Sequence, residues 1–341
     1  MIKKNKEKQR KSGIEIFFLM FVLVMSIFIV LIILLMPIRP QTSSVNNVAA
    51  GDNEINKINQ TNEPDNTENL PSFPENISFS LVVLPDTQYY SRDNPEIFMN
   101  QTKWIVENID ELTIRFVVHE GDIVQNYNST SEWDNANKSL SILDNIVPYL
   151  LVPGNHDIPT GMFNEYFPRK RFERLPWFGG SLGGMNNSYM VFSDEGLNFV
   201  ILGLELCPSN ETLGWGNEVL SNNSDRLAIV VTHGYLDSNA ERYIHRCGST
   251  EYIWDRLLKT NGNVFMVLSG HVHAEAYRKD TVNGKEVHQM LADYQGRTNG
   301  GNGWLRVLSF DATNRLIHVT TYSPYLNEFE SDGDSKFSFE Y

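Results

Sequence analysis

From residue 79 onward, short apolar runs alternate with longer amphipathic stretches. The runs FSLVVLP (79–85), IRFVVHEG (114–121), VPYLLVPG (147–154), YMVFSD (189–194), LNFVILGLEL (197–206), LAIVVTHG (227–234) and NVFMVLSG (263–270) have the length and β-branched content of strands. Between several of them the apolar period changes to that of a helix. NPEIFMNQTKWIVENIDELT keeps Ile97, Trp104, Ile105 and Ile109 near one face, SEWDNANKSLSILDNIV and STEYIWDRLLKTNG are similar, and Gly262 closes the last. Strand, helix, strand implies βαβ units and parallel pairing in the first half. Toward the end, KEVHQMLADYQ, GWLRVLSFDA, RLIHVTTYSP and KFSFEY predict successive strands with turns between them.

The amino-terminal pattern is different. Lys3, Lys4, Lys6, Lys8, Arg10 and Lys11 precede an uncharged, mostly apolar stretch from Ile16 to Met36, about twenty residues and so long enough to cross a hydrocarbon core. Residues 14–37 are therefore expected to be a transmembrane signal-anchor, with a cleaved signal peptide as the competing reading. The basic cluster in residues 1–13, against the single Arg39 after the span, places the amino terminus in the cytoplasm and the remainder outside. Residues 38–76 are rich in Asn, Thr, Asp, Glu and Pro with few large apolar groups, the composition of a disordered linker. No second linker follows, so 77–341 is taken as one domain.

Composition narrows the function. The 341 residues carry a formal net charge of -14, which argues against general nucleic-acid binding, since phosphate neutralisation needs a basic surface. An anionic substrate would need a local cation. Cys207 and Cys247 suit one disulfide in an oxidising compartment or two separate thiols.

The candidate chemistry lies where the apolar runs stop. Five blocks follow in order: Asp86-x-Gln88, Gly121-Asp122, Gly154-Asn155-His156-Asp157, His233-Gly234 and Gly270-His271-Val272-His273. In open α/β sheets, ligands gather at the carboxyl ends of strands, so these polar groups are expected to converge. Their mixed oxygen and imidazole donors exceed what one tetrahedral zinc can use and suit a pair of divalent ions bridged by a carboxylate.

In this order the blocks resemble the calcineurin-like metallophosphoesterases, whose pattern begins Asp-x-His where this chain has Asp86-x-Gln88. The resemblance implies a four-layer α/β/β/α sandwich of two mixed sheets. It implies one ion held by Asp86, Gln88, Asp122 and His273, and another held by Asp122, Asn155, His233 and His271, with Mn, Fe or Zn as the metals. A hydroxide between the ions would attack a phosphate mono- or diester, and His156, its tautomer held by Asp157, would stabilise the transition state or protonate the leaving oxygen. Gln125 stands where the purple acid phosphatase branch has a tyrosine ligand, which sets the chain apart from that branch.

Gln88 replaces an imidazole by a harder, weaker amide oxygen. It is open whether it ligates, bonds a metal-bound water, or marks loss of the first ion. The resulting expectation is a membrane-anchored, extracytoplasmic phosphoesterase acting on a small phosphoester. The rival is an exported binding or cell-envelope protein that keeps the fold without the catalysis. Substrate identity and oligomeric state are not encoded in these motifs.

Overall fold

A computed structural model describes residues 72–341. The expected membrane segment 14–37 and most of the 38–76 linker lie outside the described residues; among those described, no helix is long and apolar enough to cross a membrane. The linker was expected to run to residue 76, but the Phe73 ring packs on Trp104, Tyr322 and Phe329 at 5.8, 5.3 and 4.9 Å between centroids. The folded unit therefore takes in residues before 77.

Sixteen strands are formed among the described residues: β1 (79–84), β2 (114–119), β3 (149–151), β4 (178–181), β5 (188–194), β6 (197–204), β7 (227–232), β8 (244–245), β9 (248–249), β10 (264–269), β11 (275–282), β12 (285–292), β13 (305–311), β14 (316–323), β15 (328–329) and β16 (336–340). One seven-stranded sheet has the order β15-β14-β13-β1-β2-β3 with β16 also on β14, and the second runs β11-β12-β10-β7-β6-β5-β4. Both are mixed. β1, β2 and β3 are parallel neighbours while β13 joins β1 antiparallel. In the second sheet, β6, β7, β10 and β12 are parallel and the flanking pairs antiparallel.

The alternation of side chains along each strand sorts the core into layers. On β6, Phe199 and Ile201 join the main core with residues of the first sheet, whereas Val200, Leu202 and Leu204 join a second cluster with Leu213, Leu220, Leu257 and Leu258. Phe79 of β1 meets Phe199 of β6 at 5.6 Å, and Phe116 of β2 meets Phe192 of β5 at 5.3 Å, so the two sheets face each other. Ile97, Phe98 and Ile105 of helix Pro95–Glu107 and Trp133 of helix Thr130–Leu140 are buried with the first sheet. The arrangement is helix, sheet, sheet, helix.

Several segments depart from the sequence reading, among them β4 and β11, where no strand was expected. Residues 207–226, for which no strand or helix was expected, contain helix Asn210–Asn222, which buries Leu213, Val219 and Leu220 on the second sheet. Ser209 caps it by accepting from the Thr212 amide at 3.1 Å; Gly214 and Gly216 inside the helix had hidden it. STEYIWDRLLKTNG begins as an α-turn but widens to a π-turn over Trp254–Leu258.

Candidate metal centre

Both sheets deliver their polar strand ends to one place. Asp86 follows β1, Asp122 follows β2 and Asn155 follows β3, while His233 and His271 follow β7 and β10 of the other sheet. The junction is tied by the His271 amide, which donates to both Asp86 oxygens at 3.3 and 3.2 Å. Asp122 and His271 sit at φ +49° and +75°, a left-handed conformation that costs non-glycine residues energy and is kept where the surroundings enforce it. The glycines are required by close approach. A Cβ on Gly154 would lie 2.0 Å from Asp122 Oδ1, and one on Gly270 would lie 2.1 Å from Asp86 Oδ2.

His233 is the centre of the cluster. Its Nδ1 lies 2.9 Å from the Glu120 carbonyl, which can only accept, so Nδ1 carries the hydrogen. In the neutral ring Nε2 is then a bare lone pair. Around it stand Asp122 Oδ2 at 3.2 Å, Asn155 Oδ1 at 3.2 Å and His271 Nδ1 at 3.1 Å. Such a gathering of electron-rich atoms is repulsive unless a cation or a proton lies among them. Burial disfavours a charged His233, yet the Asp122 carboxylate outweighs it and raises the imidazole above its ordinary value. Burial likewise opposes ionisation of Asp122, but His233 holds that carboxyl below its usual range. His271 is driven down to about 4 by burial and by His233. The donor set of one carboxylate, one amide oxygen and two imidazoles fits a divalent ion.

The other three expected ligands are less tightly gathered. Asp86 is buried, and burial together with the Asp293 and Asp122 charges raises its carboxyl well above the usual range. Gln88 opens helix Gln88–Asp93, and its Oε1 is buried with no hydrogen-bond partner. A buried carbonyl oxygen without a donor is costly, and a cation would satisfy it. The His273 side chain is half exposed, with Nε2 4.0 Å from Asp293 Oδ2.

One expected role is corrected. Asp157 does not hold the tautomer of His156: its carboxylate accepts from the amides of Ile123 (3.0 Å), Val124 (3.1 Å) and Gly154 (2.8 Å). It clamps the loop after β2 to the loop after β3. The partner of His156 Nδ1 is instead the Gln125 carbonyl at 2.7 Å, which places the hydrogen on Nδ1 and leaves Nε2 free.

Several neighbours were not singled out in the sequence. Asp293 and Glu120 are buried carboxylic acids beside Asp86. The rings of Tyr243 and His245 pack on His271 at 5.1 and 5.3 Å. Asp293 had a readable signal, since HQMLAD is another apolar run ending in Asp. His245 had none, because it reaches the site through the fold and the Cys207–Cys247 disulfide, whose Cα atoms are 6.0 Å apart. Arg278 and Arg297 are committed to ion pairs with Glu241 and Asp280, and with Glu275 and Glu330. The glycines of GGNGW wrap Tyr90, whose hydroxyl accepts from the Gly303 amide at 2.9 Å.

A family model for calcineurin-like phosphoesterase matches residues 79–275. The chain is 38% identical over 268 residues to "Uncharacterized protein YvnB" of Bacillus subtilis (strain 168), covering 75% of this chain and 20% of that protein. It thus spans about a fifth of the length of the curated relative it matches. Among solved structures it is similar to purple acid phosphatase PPD1 from yellow lupin (Lupinus luteus) seeds, with a TM-score of 0.49, 14% identity, and coverage of 77% of this chain and 53% of that one. It is also similar to GAP50, the anchor in the inner membrane complex of Plasmodium, with a TM-score of 0.46, 13% identity, and coverage of 77% and 90%.

Proposed function

The chain belongs to the calcineurin-like phosphoesterase family, and on that premise we propose that it is a two-metal hydrolase of phosphate mono- or diesters, anchored through residues 14–37 with its catalytic domain outside the cytoplasm. The observation that carries the reading is the convergence of Asp122 Oδ2, Asn155 Oδ1 and His271 Nδ1 on the lone pair of His233 Nε2. These four residues would hold one ion, and Asp86, Gln88, Asp122 and His273 the other, with Asp122 shared. When bound, the ions supply a nucleophilic water of lowered pKa and positive charge for the phosphoryl oxygens. In an acidic chain that positive charge is what draws an anionic substrate.

The protein's own groups do the rest. The Glu120 carbonyl fixes the His233 tautomer so that Nε2 faces the ligand atoms. Asp122 Oδ1 accepts from the His156 amide at 2.9 Å, which ties the catalytic loop to the shared ligand. With Nδ1 committed to Gln125, His156 can deliver a proton only from Nε2, and the leaving-group oxygen is its target.

The test is metal analysis of the purified full-length chain together with a panel of aryl phosphate, bis-aryl phosphate, nucleotides and sugar phosphates, with and without added Mn. Bound metal and metal-dependent turnover of at least one ester are expected. A chain that binds no divalent metal and turns over no ester would sink the proposal.

A further inference from the structure

Opposite the tightly gathered imidazoles, the Asp86 side of the centre has a surplus of buried oxygen and a shortage of positive charge. Asp86, Glu120 and Asp293 are all buried, and Glu120 Oε2 has no partner. Among the described residues no lysine or arginine forms an ion pair with any of the three; the buried Arg306 guanidinium acts on Glu120 alone and does not offset the burial that raises its carboxyl, and the imidazoles nearby are His233, 3.7 Å from Asp86, and His273, 4.0 Å from Asp293. Asp86 and Asp293 have no such guanidinium, and buried carboxylates without compensation are expensive, so the site is built to take a cation there.

Asp293 is placed for that ion by the sheet. β12 runs parallel to β10 with Ser269 opposite Leu291 and ends at Ala292, and the Asp293 amide then donates to the Ala274 carbonyl at 2.9 Å, next to the turn that carries His271 and His273. Asp293 occupies the same strand-end position from which the other ligands project. The Asp293 carboxylate is held by Gln295, whose backbone amide donates to Oδ1 at 2.9 Å and whose side-chain amide donates to Oδ2 at 3.0 Å. That leaves acceptor capacity on both oxygens. The Oε1 of Gln295 is also buried and unpartnered, as is the Oε1 of Gln88. The 4.0 Å between Asp293 Oδ2 and His273 Nε2 is a separation that two ligands of one ion can have, because atoms each ~2.1 Å from a metal lie at most about 4.2 Å apart.

We infer that Asp293 is a ligand of the first ion, making that subsite, with Asp86, Gln88, the shared Asp122 and His273, an oxygen-rich site for a hard divalent cation such as Mn or Mg. The inference rests on the two-metal reading above and deepens it. A carboxylate just past the end of β12 makes up for the donor strength that is lost when a weaker, equally neutral amide oxygen stands in the place of the imidazole at position 88. The first ion is thereby retained with altered preference, while the second subsite, with His233 and His271, keeps the softer character that suits zinc.

The test uses the full-length chain stripped of metal and titrated with Mn, following free Mn by electron paramagnetic resonance and heat by calorimetry. The wild type should bind two ions per chain. Asp293→Asn, nearly isosteric and still able to meet Gln295, should keep one ion at unchanged affinity and weaken the other at least tenfold. Thermal unfolding of the metal-free proteins checks folding; removing one of several mutually repelling buried carboxylates should leave Asp293→Asn no less stable than the wild type. Asp293→Ser provides a second, smaller variant with the same expected loss of one ion. If either folded variant binds both ions with wild-type affinity, the role of Asp293 is overturned and the two-metal reading stands. If the wild type binds fewer than two ions, the two-metal reading fails and this inference fails with it.

Discussion

At the scale of single residues, the centre is governed by close approach and by which lone pairs face each other. Gly154 is fixed because its α-carbon lies against Asp122, with the Asp122 amide 2.4 Å and Oδ1 2.0 Å from where a Cβ would be. Gly154→Ala is therefore expected to cost about 1–3 kcal/mol by overpacking and to displace the shared ligand; chemical denaturation and Mn titration would both register it. Gln88 offers a different probe. If its unpartnered Oε1 faces the first ion, Gln88→His replaces a hard oxygen by an imidazole nitrogen. Zinc should then bind more tightly by roughly tenfold, ~1.4 kcal/mol, with little gain for Mn. Competition titrations of the two metals would read the ratio, and an unchanged ratio would remove Gln88 from the ligand set. Asp157 shows how far a motif can mislead about a role: the fourth position of the GNHD block serves three backbone amides, and His156 takes its orientation from the Gln125 carbonyl.

At the scale of elements, each ligand-bearing strand end is a rigid mount, and the segments over them differ in how they are held. Residues 235–250 carry Tyr243 and His245 to the face of His271 and are fastened to the segment after β6 by the Cys207–Cys247 bridge. The sequence separation of 40 residues makes this a sizeable closed loop. Replacing both cysteines by serine should cost about 2–4 kcal/mol of stability and free the loop. Melting with and without reductant would show it: the wild type should fall toward the double variant when reduced, and the variant should not respond. Helix Asn210–Asn222 makes the complementary point. Its sequence is poor in helix formers, yet burial of Leu213, Val219 and Leu220 on the second sheet overrides propensity, as tertiary packing commonly does.

For the whole molecule, stability depends on two sheets pressed together, and one contact between them is acid-sensitive. His288 of β12 stacks on Phe339 of β16 at 4.1 Å, and its Nδ1 meets the Tyr277 hydroxyl at 2.9 Å. Burial drives its imidazole from the ordinary 6.5 down to about 4. The unfolded chain binds the proton first, so this contribution is complete above 6.5 and is lost as pH falls from there toward about 4. Urea midpoints of the metal-free chain should drop across that window, and His288→Leu should lessen the drop. Apart from β4 and β11, the sequence alone determined most of the strand succession, the parallel pairing of β1 to β3 and the five blocks at strand ends, because alternation and abrupt polar termination are local properties written residue by residue. It also carried the family, since order and spacing of ligand types survive as linear text. Only the tertiary structure decided which groups meet: that Asp157 serves backbone amides, that Cys207 reaches Cys247, and that Asp293 stands beside His273. Those pairings join residues far apart in the chain, and their geometry is set by sheet register and by the packing of one sheet on the other, which no local pattern records.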